Sequence, residues 1–192
     1  MKKRSLLIGA MLTFVAHVAL AQAPPPSHSA GGAMTSYRYG GISGSWLTPS
    51  GDFDKVAGDG WAITLEGFQF IDPNKKIAVG SQVAYQSFGK KNGVSVSNFP
   101  VDAVLKFYPK PGSGKADLYL TGGLGFNYMR TDVGFATNTD YFFGTQAGVG
   151  VQLHTGGPVD LLVDGVYHWI FSTGTDANFV ALRAGLAVPL VR

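Results

Sequence analysis

The chain has 192 residues, of which 45% are hydrophobic, 12% aromatic and only 14% charged, with 27 glycines and no cysteine. This composition excludes a disordered chain, which needs high charge and few aromatics, and a disulfide scaffold or thiolate metal site; it also argues against an all-helical protein, because a helix-interior glycine costs about 1 kcal/mol. The net charge of +3 stems from Lys2, Lys3 and Arg4; past residue 21 the two signs balance, so no basic face for nucleic acid is implied.

The first element is an address. Lys2-Lys3-Arg4 is a positive start, Leu6 to Leu20 is an apolar run broken only by Thr13 and His17, and Ala19-Leu20-Ala21 is a small-x-small site. Residues 1–21 therefore read as a secretory signal peptide cut after Ala21. Residues 22–36, rich in Pro, Ser, Gly and Ala, read as a flexible leader. The remaining domain is predicted to span 37–192.

From Tyr37 the apolar residues recur with period two. Eight runs stand out: Tyr37–Thr48, Gly60–Ile71, Lys76–Phe88, Asn98–Tyr108, Ala116–Arg130, Thr139–His154, Pro158–Ser172 and Ala177–Leu190. They exceed the roughly 5–6 residues of a soluble strand and suffice for a membrane-crossing strand of about 9–11. Turn residues separate them at Asp72–Lys75, Pro109–Gly114 and Thr155–Gly157. On the other side lie Pro49–Asp59, Gly89–Ser97, Thr131–Asn138 and Thr173–Asp176. Three of those four are long, which predicts outward loops on that side and periplasmic turns on the other.

Eight such strands make either a soluble lipocalin-like barrel, greasy inside, or a transmembrane barrel, greasy outside. One face of strand 5 carries Leu118, Leu120, Leu124, Phe126 and Tyr128, and the other Tyr119, Thr121, Gly123, Gly125 and Asn127. The later strands repeat the division, with Asp102, Lys106, Gln146, Asp164, His168 and Arg183 on the polar face. Trp46, Trp61, Phe99, Tyr128, Tyr141, Phe143 and Trp169 all fall on the apolar face and at one end, as an aromatic girdle at lipid headgroups would. The expectation is therefore an all-β, eight-stranded, antiparallel up-and-down transmembrane β-barrel. Strand 2 loses phase: Phe68 and Phe70 fall inward unless a bulge near Gly67 resets the alternation.

Near mid-height the polar face brings Glu66, Gln82, Lys106, Gln146, Asp164 and Arg183 into the lumen, with Arg183 beside Asp164. Buried charges must pair, so Glu66, Lys106, Asp164 and Arg183 are expected to form a structural plug of ion pairs; a switchable gate in a narrow pore is the alternative. Catalytic, cofactor and metal motifs are not found. Pro111–Ala116 fails as a phosphate loop, because Pro109 stands where glycine is required and Ala116 where Ser or Thr is. Gly122-Gly123-Leu124-Gly125 lacks its third glycine and a following helix. Asp160, Asp164 and His168 share a face, but four residues of strand span about 13 Å, too far for one ion.

The segments Gly40–Phe53 (GGISGSWLTPSGDF), Gly60–Gly67, Leu118–Tyr128 (LYLTGGLGFNY) and Phe143–Val151 (FGTQAGVGV) resemble the eight-stranded outer-membrane β-barrel family of Gram-negative bacteria, the OmpA- and OmpX-like barrels and small porin family proteins. The likeness covers Tyr37 to Val191. It implies insertion among outer-membrane lipids by the barrel assembly machinery, and no catalytic residues. Family members end in an aromatic residue, whereas this sequence ends Pro189-Leu190-Val191-Arg192. The expected role is structural or surface-interacting, by a monomer acting through the Pro49–Asp59 and Gly89–Ser97 loops. A narrow porin-like channel and a soluble periplasmic ligand-binding barrel are the alternatives. What the loops bind is not legible.

Overall fold

The alternating runs become eight antiparallel strands: β1 (Arg38–Ser50), β2 (Ala57–Phe70), β3 (Ile77–Lys90), β4 (Val94–Phe107), β5 (Ala116–Val133), β6 (Ala136–His154), β7 (Asp160–Phe171) and β8 (Ala177–Val191). In this computed structural model the described residues are 38–112, 114–172 and 176–191, so the expected signal peptide and leader lie outside them. Each strand pairs with its sequence neighbours, and β8 returns to pair with β1, closing the barrel. Closure leaves no unpaired edge. That condition lets a sheet stand in hydrocarbon, where an unpaired N–H or C=O finds no water.

Which way the apolar face points decides the class. Ile42, Leu65, Leu120, Leu124, Phe126, Val149, Leu182 and Leu190 are all exposed on the outer wall. Gln82, Asp102, Lys106, Gln146, Asp164 and Arg183 are buried within. A soluble ligand-binding barrel would be greasy inside, so that alternative is excluded. The strands run from 12 residues in β7 to 19 in β6, beyond the roughly 9–11 needed to cross a bilayer. Even the Gly- and Ser-rich β1 is fully paired, because its backbone bonds to β2 and β8 do not depend on its side chains.

Two expectations are corrected. First, two of the three long outward loops are mostly strand. Residues 89–97 contain only a tight turn: Lys91 pairs with Val94 around Asn92 and Gly93, both with positive φ (51° and 81°). An Asn-Gly pair is the favoured residue choice for that type I′ hairpin. Residues 131–138 likewise continue the β5–β6 ladder to a two-residue turn, Gly134-Phe135, with Gly134 at φ 58°. The connections at the opposite end, 71–76, 108–115 and 155–159, are longer than these two turns. Second, no bulge occurs at Gly67; the β2–β3 register shifts at Gly58/Gly60 instead. Phe68 stays buried in the lumen, where it packs in a ring cluster with Tyr39 and Phe70.

We call the end bearing the β1–β2, β3–β4, β5–β6 and β7–β8 connections the hairpin end, and the other the terminal end.

Candidate functional site: a lumen closed in three layers

A narrow barrel is filled by its own side chains, and here the filling changes chemistry with depth. At the hairpin end the layer is apolar. The β1–β2 connection folds inward as a short 3₁₀ turn (Phe53–Lys55) that buries Phe53 among Leu47, Phe88 and Phe179. Phe53 meets Phe88 edge-on with ring centres 5.0 Å apart, and His168 stacks on Phe179 at 4.5 Å. The turn is tied down from outside: Lys91 Nζ donates to Asp54 Oδ1 at 2.9 Å, and Asn92 Nδ2 to the Lys55 carbonyl at 3.0 Å.

The middle layer is ionic. Arg183 donates from Nε to Asp164 Oδ1 at 2.5 Å and from Nη2 to Asp164 Oδ2 at 2.8 Å, a forked contact between directly paired residues of β8 and β7. Its Nη1 reaches across the lumen to Gln82 Oε1 on β3 at 3.0 Å. Lys106 Nζ donates to Glu66 Oε1 at 2.9 Å, joining β4 to β2 over the intervening β3. It also lies 4.2 Å from the centre of the Phe68 ring. Two further members extend the layer around the Arg183 pair. Asp102 Oδ2 accepts from Gln82 Nε2 at 3.0 Å and Gln146 Nε2 at 3.4 Å, and Tyr119 donates to Asp164 Oδ2 at 2.6 Å. Several of these bonds join strands that are not neighbours, so the layer braces the barrel across its width.

Glu66, Lys106, Asp164 and Arg183 are thus brought together, while Asp102 and Tyr119 are members that sequence reasoning did not include. Asp102 was legible as an inward residue. Tyr119 was seen beside glycines but not as a hydrogen-bond donor. Its ring has room because Gly150 opposes it: a Cβ there would lie 2.5 Å from the Tyr119 ring and 2.5 Å from the Asp164 Cβ.

The terminal layer combines rings with a clamp. Tyr39, Phe70, Tyr108 and Tyr119 form a chain of ring contacts with Phe68. Beyond them His154 sits between two carboxylates, Nε2 2.9 Å from Asp117 Oδ2 and Nδ1 3.1 Å from Asp160 Oδ2. Both contacts are hydrogen bonds when the ring carries both protons. Gln152 Nε2 donates to Asp160 at 2.7 Å and its Oε1 accepts from Tyr108, and the Gly112 N–H donates to Asp117. A cavity of about 160 Å³ opens beside this clamp, bordered by Tyr39, Phe70, Lys75, Tyr108 and His154. The clamp escaped the sequence reading, which set Asp160 beside Asp164 and His168 of its own strand. The signal lay in register, since His154 directly opposes Asp160 across the β6–β7 turn. Among the described residues no group of three or more His, Asp or Glu side chains is arranged to hold a metal ion.

The girdle residues Trp46, Trp61, Tyr128, Tyr141 and Trp169 are all exposed on the outer wall, with Phe99 and Phe143. Trp46 pairs with Trp61, and Tyr128 with Tyr141, in direct cross-strand register. They flank the hairpin end of the apolar wall.

A closed barrel with a greasy outer wall and a polar, filled interior is an integral membrane protein of the outer-membrane type. The chain belongs to the outer membrane protein beta-barrel domain family, whose model matches residues 7–188. That membership places it in the bacterial outer membrane. Among solved structures it is similar to Neisserial surface protein A, with a TM-score of 0.64 and 17% identity over 82% of this chain and 99% of that one. It is also similar to a major outer membrane protein from Thermus thermophilus, with a TM-score of 0.55 and 11% identity over 80% of this chain and 99% of that one. At such identities the likeness is one of fold. No curated protein matches the sequence.

Proposed function

We propose that the protein is a plugged barrel with a structural and surface-contact role rather than a diffusion pore, and that contact is made by the β5–β6 hairpin. The observation that carries this reading is the contrast between a lumen filled at three depths and a hairpin that runs on past the aromatic girdle. From Tyr128 to the turn is about five residues, roughly 17 Å of strand. At its tip Phe135 is fully exposed and Val133 is nearly half exposed, beyond the girdle and outside the apolar wall. These two apolar side chains at the end of an otherwise polar projection are the groups placed to make contact. The Pro49–Asp59 loop is folded into the mouth and the 89–97 segment is strand, so neither of those expected contact loops is free to reach out. The projecting end is the one that faces outward in this reading.

The test is conductance of the full chain in a planar bilayer. A plugged barrel gives no steady single-channel steps, whereas steps in the unmodified protein would overturn the reading. The narrow-channel alternative draws support from three of the four buried side-chain oxygens that lack a hydrogen-bond partner among the described residues, Asn98 Oδ1, Thr121 Oγ1 and Gln146 Oε1, which are places for water inside the wall. Under that alternative Arg183→Ala raises conductance; no change removes the gate.

A further inference from the structure

The two rims treat their positive charges differently. At the hairpin end the cations are paired within the chain: Lys55 with Asp52 at 2.6 Å, Lys91 with Asp54 at 2.9 Å, and Arg130 with Asp132 at 3.1 Å. Lys90 is the exception, and Asp59, Asp140 and Asp176 add further carboxylates. At the terminal end Lys76, Lys110 and Lys115 are exposed, and among the described residues no ion pair includes any of them. The carboxylates nearby are already engaged. Asp72 accepts from the Ile77 N–H at 2.6 Å, while Asp117 and Asp160 hold His154.

Their placement is as telling as their lack of partners. Lys76 adjoins Ile77 and stands three residues from outward Val79; Lys110 lies three past outward Phe107; Lys115 lies three before outward Leu118. Three residues of strand are about 10 Å, and a tilt near 45° reduces that to about 7 Å along the membrane normal. The headgroup layer is about 5–8 Å thick on each side of the hydrocarbon. The three lysines therefore stand at about phosphate level, past the hydrocarbon edge. Pro109 and Pro111 bracket Lys110, and their fixed φ stiffens the turn that presents it.

We propose that the terminal rim is a binding surface for anionic phospholipid headgroups, with Lys76, Lys110 and Lys115 as the phosphate contacts. It anchors that end of the barrel in its leaflet, whatever the projecting hairpin contacts. The full chain is refolded into phosphatidylcholine vesicles with and without phosphatidylglycerol, and its urea unfolding is followed by heat-shifted mobility. Phosphatidylglycerol should raise the folded-to-unfolded ratio by roughly fivefold per lysine at low salt, and the gain should fade as salt rises. The triple variant Lys76→Gln, Lys110→Gln, Lys115→Gln should lose the gain, and the triple Lys→Arg variant should keep it. Lys55→Gln with Lys91→Gln, which removes two cations from the opposite rim, should also keep it. If that control loses as much, the attraction is general rather than local and the proposal falls. It falls too if the wild type gains nothing from the anionic lipid, or if inorganic phosphate in phosphatidylcholine vesicles reproduces the gain. Should the triple Gln variant not fold, retention of phosphatidylglycerol on wild type and the triple Arg variant after detergent extraction decides the question; no enrichment over phosphatidylcholine overturns the proposal.

Discussion

Two of the three layers fill the barrel by different means. In the middle layer the closing groups are charges carried by strands: Arg183 and Asp164 belong to β8 and β7, and Lys106 and Glu66 to β4 and β2. At the hairpin end the closing group is Phe53, an aromatic ring carried by a connection and folded inward. A charge on a strand cannot leave the lumen without breaking the barrel's own ladder, but a ring on a connection can swing out. The comparison teaches that the ionic layer is bound up with stability, while the aromatic layer is where any opening would begin.

Removing one side of the ionic layer should have the largest effect. Arg183→Ala leaves Asp164 buried beside an empty space, and breaking such a pair costs about 3–5 kcal/mol. Urea unfolding in vesicles should show it, and Arg183→Met with Asp164→Leu should recover most of the loss. If the single variant loses under a tenth of that, the layer is not a brace.

Phe53→Ala should cost about 3 kcal/mol, the low end for a buried ring, because the connection can relax around the gap. Its signature should be local: amide exchange should rise in 51–56 and leave the mid-strand amides of β7 and β8 protected. Loss of protection throughout would mean the aromatic layer is as integral as the ionic one. Gly150→Ala should follow at about 1–3 kcal/mol, through overpacking against Tyr119 and Asp164. A neutral result would show that Tyr119 can move while keeping its bond to Asp164.

The outer tie is weaker. Asp54→Asn breaks an exposed pair with Lys91 and should cost about 0.2–1 kcal/mol, while speeding exchange in the Phe53 turn. Smallest is the pH response of the terminal rim. Burial acts to raise the Asp72 carboxyl, but the backbone N–H groups it accepts from, Ile77 foremost, hold it below its ordinary value. A depressed folded value means that its contribution is present above the unfolded pKa of about 3.9 and is lost as pH falls through the folded one. Exchange at the Ile77 amide, corrected for intrinsic rate, should therefore increase on acidification below that range and not on alkalinisation. An unchanged protection factor as the pH falls well below the unfolded value would refute the tie.

Much of this was legible in one dimension. Period-two alternation in β4 to β8 is a local property, so strand identity, the polar face and the outward Trp46, Trp61, Tyr128, Tyr141 and Trp169 could be read from spacing. The pairing of Arg183 with Asp164 follows from adjacent strands and a short connection. The tight turns were also readable in principle: Asn92-Gly93 is a strong hairpin signal, but the polar residues around it made the segment look like loop.

Other features depended on distance through space. Alternation is blind to sidedness, since a lipocalin and a membrane barrel share it; only closure, with leucines outside and Arg183 inside, distinguishes them. Spacing cannot show that Arg183 reaches Gln82, or Lys106 reaches Glu66, across the lumen, because those contacts are set by the barrel's narrow width. Nor can it show that Phe53 points inward or that no bulge at Gly67 turns Phe68 out of the lumen. By itself the sequence determined which residues alternate and where turns are allowed, because those are properties of neighbours along the chain. The tertiary structure decided what is inside, which charges meet and which hairpin projects, because closing eight strands into one ring sets every lumenal residue against partners far away in sequence.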